Sequence, residues 1–384
     1  MQDDPTQKPL VGQIDAHDGA RVVVAGAIVG DVYIGNKPAG SLDQRNRLAM
    51  LERVRSDWID GVLKQSLYKV ARIELGLEAK DDAVELPLNA IVQVPDRAPT
   101  VIPPGTGIVD IFDKLGQALL ILGAPGTGKT TLLLELAGAL LDRAFKDESH
   151  PIPVVFNLSS WALKREPLAK WLVSELNLRS FVPKKIGQRW VGEDHVLPLL
   201  DGLDEVDATH RRACADAINQ FSVEHGLLPI AICSRSADFD VLARKLRVRG
   251  AVEVQPLTRE QIDCYLERST ELLPLQAAIG VDPSLAELLA SPLMLWVAML
   301  AYRDSPVHID KAEDLDHKRL HLLKTFVLAM FRRRAVESRY TERSTLHWLS
   351  RLASALQREQ QTVFYLESLR PTWLPIYGYP WLSK

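Results

Sequence analysis

Residues 121–133 read ILGAPGTGKTTLL. An apolar run enters, Gly123, Gly126 and Gly128 punctuate the middle, Lys129 and Thr130 stand at the turn, and an apolar run leaves. Glycines let backbone amides curl around an oxyanion, and the free amides at a helix start point at the same charge. The stretch is therefore a cradle for phosphates, formed by Gly123, Ala124, Pro125, Gly126, Thr127 and Gly128 and continued by Lys129, Thr130 and Thr131. It satisfies G-x-x-x-x-G-K-[ST], in which Lys129 reaches the β/γ oxygens and the Thr130 hydroxyl holds Mg²⁺.

Downstream, VLPLLDGLDEV at 196–206 places Asp201 at the end of an apolar strand, the edge where parallel sheets collect ligands. Its expected role is Mg²⁺ coordination through water. Asp204 and Glu205 follow, and either could orient an attacking water; Asp204 is the favoured one. Three carboxylates so close together read as a cation-associated cluster. Arg235, in ICSRS, stands just past another strand, where it could sense a γ-phosphate. Arg244, Arg247 and Arg249 are expected to face solvent or a neighbour.

Around this centre the order is strand, loop, helix, strand. ALLILG, PIPVVFNL, VLPLLDGLDEV, LLPIAICSRS and AVEVQPL are predicted strands, with helical patterns at 161–179 and after the phosphate loop. Short apolar strands separated by helices imply an α/β fold, a P-loop NTPase with a mostly parallel sheet covered on both faces. A short flexible or β segment spans 1–43; RVVVAGAIVGDVYIG within it reads as one or two strands, and no clean helix follows its glycines to make a dinucleotide site. A helical segment and proline-rich linker occupy 44–104, the NTPase core 105–257, a helical lid 258–310, and a helical, partly winged-helix-like region 311–384. Thr258 and Gln261 have capping-box spacing, and further helices are expected at 284–301, 316–335 and 342–359.

The chain has 384 residues and a formal net charge of -3, so no whole-chain charge argues for nucleic acid. Cys214, Cys233 and Cys264 lack ligand-like spacing and are expected to be buried thiols in a reducing cytoplasm. MQDDPTQKPL has neither the basic start nor the apolar core of a signal peptide. LLASPLMLWVAMLAY, 288–302, is interrupted and too short to span a membrane, and reads as a buried helix.

Taken together, LLDGLDEV, GAPGTGKTT and ICSR resemble the NACHT family of STAND NTPases, and SPLMLWVAML resembles its proline motif. Residues 45–84 and the tail QTVFYLESLRPTWLP resemble segments of bacterial members. The resemblance implies ATP and ADP as ligands with Mg²⁺, Pro292 near the adenine, and a switch that is closed with ADP and oligomeric after a trigger. It also implies an unknown trigger and effector, and a role like that of relatives in defence against phage. Both flanks look short for sensor or effector domains; either partners supply them or the sequence ends early, and membrane association is expected only of a form continuing beyond residue 384. His317, His321 and His347 match no motif and are left outside the site.

Two other functions compete with the switch. An AAA-like mechanoenzyme acting on nucleic acid or protein would need steady turnover, and the lack of an acid directly after Asp201 speaks against it. A scaffold stabilised by nucleotide without hydrolysis would have no use for the full set of acids.

Overall fold

The computed structural model describes residues 42–66, 90–95, 98–103, 106–226, 228–242, 245–267, 269–303, 314–333 and 340–358. The expected strands at 21–35, the segment 67–89 and the tail 361–375 lie outside the described residues.

Seven strands form one sheet: β1 (Ala90–Gln93), β2 (Thr100–Val101), β3 (Ala118–Gly123), β4 (Ile152–Asn157), β5 (Val196–Asp201), β6 (Ile230–Arg235) and β7 (Gly250–Val254). Their spatial order is β2-β1-β7-β3-β6-β5-β4. The five strands expected from sequence are parallel, and β1 and β2 extend the sheet antiparallel beyond β7. That extension was not read from the sequence, because AIVQ is only four residues long between Pro87 and Pro95, and Thr100–Val101 falls inside the proline-rich connector 95–107.

β3, β4, β5 and β6 are buried along nearly their whole length because both faces of each are covered, whereas β7 alternates, with Ala251 and Glu253 less buried. In β3, Leu120 and Leu122 pack on one side with Phe156, Trp171, Leu200 and Ile232. Leu119 and Ile121 pack on the other with Leu136, Leu140 and Val252. Alternate residues point to opposite faces of a strand, so a two-sided core requires apolar residues at every position.

The helices are α1 (Leu42–Val54), α2 (Ile108–Lys114), α3 (Lys129–Lys146), α4 (Trp161–Lys164), α5 (Leu168–Arg179), α6 (Lys184–Gly192), α7 (Ala208–Glu224) and α8 (Ser236–Asp240). After the sheet come α9 (Arg259–Leu266), α10 (Leu273–Val281), α11 (Pro283–Leu289), α12 (Pro292–Tyr302), α13 (Leu315–Arg333) and α14 (Glu342–Arg358). The helix expected from residue 45 begins as α1 and continues as a π-helical segment, Arg55–Leu63. The pattern over 161–179 breaks into α4 and α5, since Arg165 adopts φ 52° and Pro167 cannot donate within a helix. At Thr258 the capping box forms as expected, with the Thr258 side chain accepting from the Gln261 backbone and the Gln261 side chain accepting from the Thr258 backbone.

One helix expected at 284–301 is two, α11 and α12, bent by 113°. Pro292 forces the break: it cannot donate backward, and it holds the preceding Ser291 at an extended ψ of 123°. Every residue of α12 from Met294 to Tyr302 is buried. No single helix among the described residues is long and apolar enough to cross a membrane. In the region beyond residue 311, α13 and α14 are present and no wing strand is found among the described residues. The cysteine expectation needs one correction: Cys214 and Cys233 are buried, but Cys264 is exposed. On α9 the inward positions are Ile262, Tyr265 and Leu266, and Cys264 falls between them on the outer face.

Candidate functional site

Strand register brings the chemistry to one edge. Gly123 is paired with Arg235 across β3 and β6, and Asn157 with Asp201 across β4 and β5. β6 lies between β3, which carries the glycine loop, and β5, which carries the acids, so Arg235 emerges between the two. Residues far apart in sequence thus meet because parallel strands end together.

The loop after β3 turns through Gly126 (φ 75°) and Gly128 (φ 93°), a backbone region that favours glycine. A Cβ on Gly126 would also lie 2.7 Å from Ser291 Oγ and 3.2 Å from Leu293 Cβ. No side chain caps α3. The first-turn amides of a helix have no partner within the helix, so this end can bind an anion.

Lys129 Nζ donates to the carbonyls of Gly123 (3.0 Å) and Ala124 (2.9 Å), which folds the ammonium over its own loop. Burial pulls its pKa below the ordinary lysine value, opposed by the nearby Asp204 and Asp201. Thr130 Oγ1 donates to Asp201 Oδ2 at 2.9 Å. Burial pushes the Asp201 carboxyl up to about 6; the Thr130 hydrogen bond opposes this, while Glu205 and Asp204 add to it.

The three carboxylates do not converge on one point, contrary to the expected cluster. Asp201 takes Thr130; Asp204 takes Arg235; Glu205 takes Asn157. Gly202 (φ 77°) turns the chain so sharply after β5 that successive acids face different neighbours. Asp204, whose side chain is 8% exposed, receives Arg235 Nε at 2.8 Å and the Arg235 backbone amide at 3.1 Å. Asn157 Nδ2 donates to Glu205 Oε2 at 3.1 Å. Among the described residues no group of three or more His, Cys, Asp or Glu could hold a metal alone. A hydroxyl beside a carboxylate at the start of α3 nevertheless suits a cation that also takes phosphate oxygens as ligands.

The helices after residue 258 reach this edge through α12. Gly126 O accepts from Leu293 N (3.2 Å) and from Ser291 Oγ (3.2 Å), which seats Pro292 against the phosphate loop. The expected site residues of the loop, Asp201, Asp204, Glu205, Arg235 and Pro292 therefore belong to one neighbourhood. Sequence reading missed Asn157, Arg211 and Ser291. Asn157 had a signal, being a polar residue ending a buried strand as Arg235 does; Arg211 had none, in a helix rich in surface polar residues. Of the three outlying arginines, Arg247 and Arg249 are exposed as expected, Arg249 donating to Gly116 O, and Arg244 lies outside the described residues. His317 pairs locally with Asp314, and His347 packs on Trp348.

Residues 117–272 match the NACHT domain family model. This NACHT region contains the loop, the acids and Arg235, and runs on through α9. No curated protein matches the chain. Among solved structures, the Aeropyrum pernix Orc1 protein in complex with DNA is 15% identical, with 70% of this chain and 76% of that one covered and a TM-score of 0.37. C. elegans PCH-2 is 18% identical, with 58% of this chain and 65% of that one covered and a TM-score of 0.29. Likeness at that level carries no argument about what this NACHT region does.

Proposed function

We propose that the chain is a nucleotide-dependent signalling switch that binds ATP or ADP with Mg²⁺, hydrolyses ATP slowly, and changes conformation and oligomeric state on exchange. The observation that carries this reading is the Asp204–Arg235 pair, 2.8 Å apart, at the sheet edge where Arg235 of β6 is paired with Gly123, the residue that opens the glycine loop. An arginine held by an acid at the sheet edge can exchange that acid for a phosphate, which makes occupancy readable as a change in protein contacts.

Each residue has its own part. Lys129 and the loop amides bind the phosphates. Thr130 and Asp201 would hold Mg²⁺, which when bound neutralises charge on the phosphate oxygens. Asp204, once released by Arg235, positions the attacking water and takes its proton; Asn157 steadies Glu205 beside it. Pro292, between the two residues that contact Gly126 O, would lie near the adenine, as the NACHT resemblance implies. The NACHT resemblance supports adenine, homo-oligomerisation on activation, a cytoplasmic setting and a role in defence against phage.

The test is to release and identify the nucleotide carried by the purified protein and measure its ratio to chain. Near-stoichiometric ADP supports a switch that retains its product. An empty site with rapid ATP turnover sinks the switch and favours a motor.

A further inference from the structure

We infer that Arg211 is a positioning residue that fixes the acid turn to the loop behind Arg235. This rests on the hydrolytic reading above. Arg211 lies one turn into α7, and its side chain is 12% exposed. Nη2 donates to the Asp204 backbone carbonyl at 2.7 Å, and Nη1 contacts Asp238 Oδ1 at 2.8 Å. Asp204 belongs to the 3₁₀ turn Leu203–Glu205 after β5; Asp238 belongs to α8, which Arg235 opens after β6.

One guanidinium therefore ties together the two segments that carry Asp204, Glu205 and Arg235. The Asp204 carboxylate meets the Arg235 side chain, and the Asp204 backbone carbonyl meets Arg211. The acid is gripped at both its ends. The planar fork of arginine suits two acceptors at once, whereas a lysine ammonium can pair with Asp238 but does not reproduce the fork. Arg211 Nε is buried with no hydrogen-bond partner among the described residues. A buried unsatisfied donor is costly to stability, so packing alone does not account for an arginine here.

The full chain is compared with Arg211→Ala, Arg211→Lys and Asp204→Asn, and with the Arg211→Ala/Asp204→Asn double variant. ADP affinity, phosphate release from ATP with Mg²⁺, and amide hydrogen exchange at residues 203–206 are measured. For Arg211→Ala, ADP affinity stays within about threefold while phosphate release slows by about tenfold or more, since only the positioning of the acid turn is lost. Exchange at 203–206 quickens and exchange along α3 does not change. Arg211→Lys, which keeps the charge should the alanine variant fail to fold, falls between. In the Asp204→Asn background the Arg211→Ala change has little further effect on phosphate release, because the two act as a unit. An equal further loss in that background, or unchanged exchange at 203–206, overturns the assignment. If the wild-type chain releases no phosphate, the hydrolytic reading fails, and exchange at 203–206 still decides whether Arg211 holds the turn.

Discussion

The sheet edge and the helical region after residue 258 are built on opposite plans. At the edge, polar side chains from four strand ends meet, and every charge has a named partner: Lys129 its loop, Asp201 Thr130, Asp204 Arg235, Glu205 Asn157. In the helical region α12 is apolar and buried along Met294–Tyr302, and its reach toward the site is the pair of contacts from Ser291 and Leu293 to Gly126 O. That contrast assigns each kind of failure to its own region. Changing the edge should alter chemistry with the fold retained, and changing the helices should alter stability first.

Removing the Lys129 ammonium is the severest test of that division. Lys129→Ala should weaken ADP binding by about 100-fold, as expected when charge-assisted contacts to phosphate are lost, read by titration calorimetry. Unchanged affinity would mean the loop does not bind phosphate. Next, Asp204→Asn should slow phosphate release by about 100-fold with ADP affinity nearly intact, the size expected for losing a general base. An equal loss of binding would erase the separate roles of Lys129 and Asp204.

The helical side is probed with Leu295→Ala. Leu295 is fully buried, so its truncation should lower unfolding stability by about 2–5 kcal/mol in denaturant titration. ADP affinity at temperatures where the variant stays folded should hardly move; a large loss would show the two regions to be less separate than drawn.

The smallest effect expected is one of pH. Asp201 is raised to about 6 from its ordinary value of 3.8, so between those values the folded, nucleotide-free protein holds a proton that the unfolded chain has lost. That contribution to stability is complete below the lower value and disappears as pH rises through about 6. Stability of the wild-type protein should therefore fall more steeply over this window than that of Asp201→Asn, measured by denaturant unfolding without magnesium. Equal slopes would mean that the surroundings of Asp201 do not raise its carboxyl.

Much of the edge was legible because phosphate chemistry needs particular residues at short spacing, and buried parallel strands advertise themselves as apolar runs. The loop residues and Asp201 follow from that local logic. Arg211 and Asn157 act on partners distant in sequence, and no local pattern encodes such contacts. β1 and β2 escaped because strands of four and two residues are too short to establish a period. The break between α11 and α12 was written in Ser291–Pro292, but the unbroken apolarity on either side masked it.

The double acceptance at Gly126 O has a kinetic consequence. A carbonyl gripped by both Ser291 and Leu293 makes the phosphate loop and the start of α12 a single mechanical linkage. An outward swing of that helix has to break both contacts or drag the loop along. The dwell time of whatever the loop holds then becomes a clock wound by the packing of a buried helix, and substitutions deep among Met294–Tyr302 speed or slow entry and release together, leaving affinity where it was.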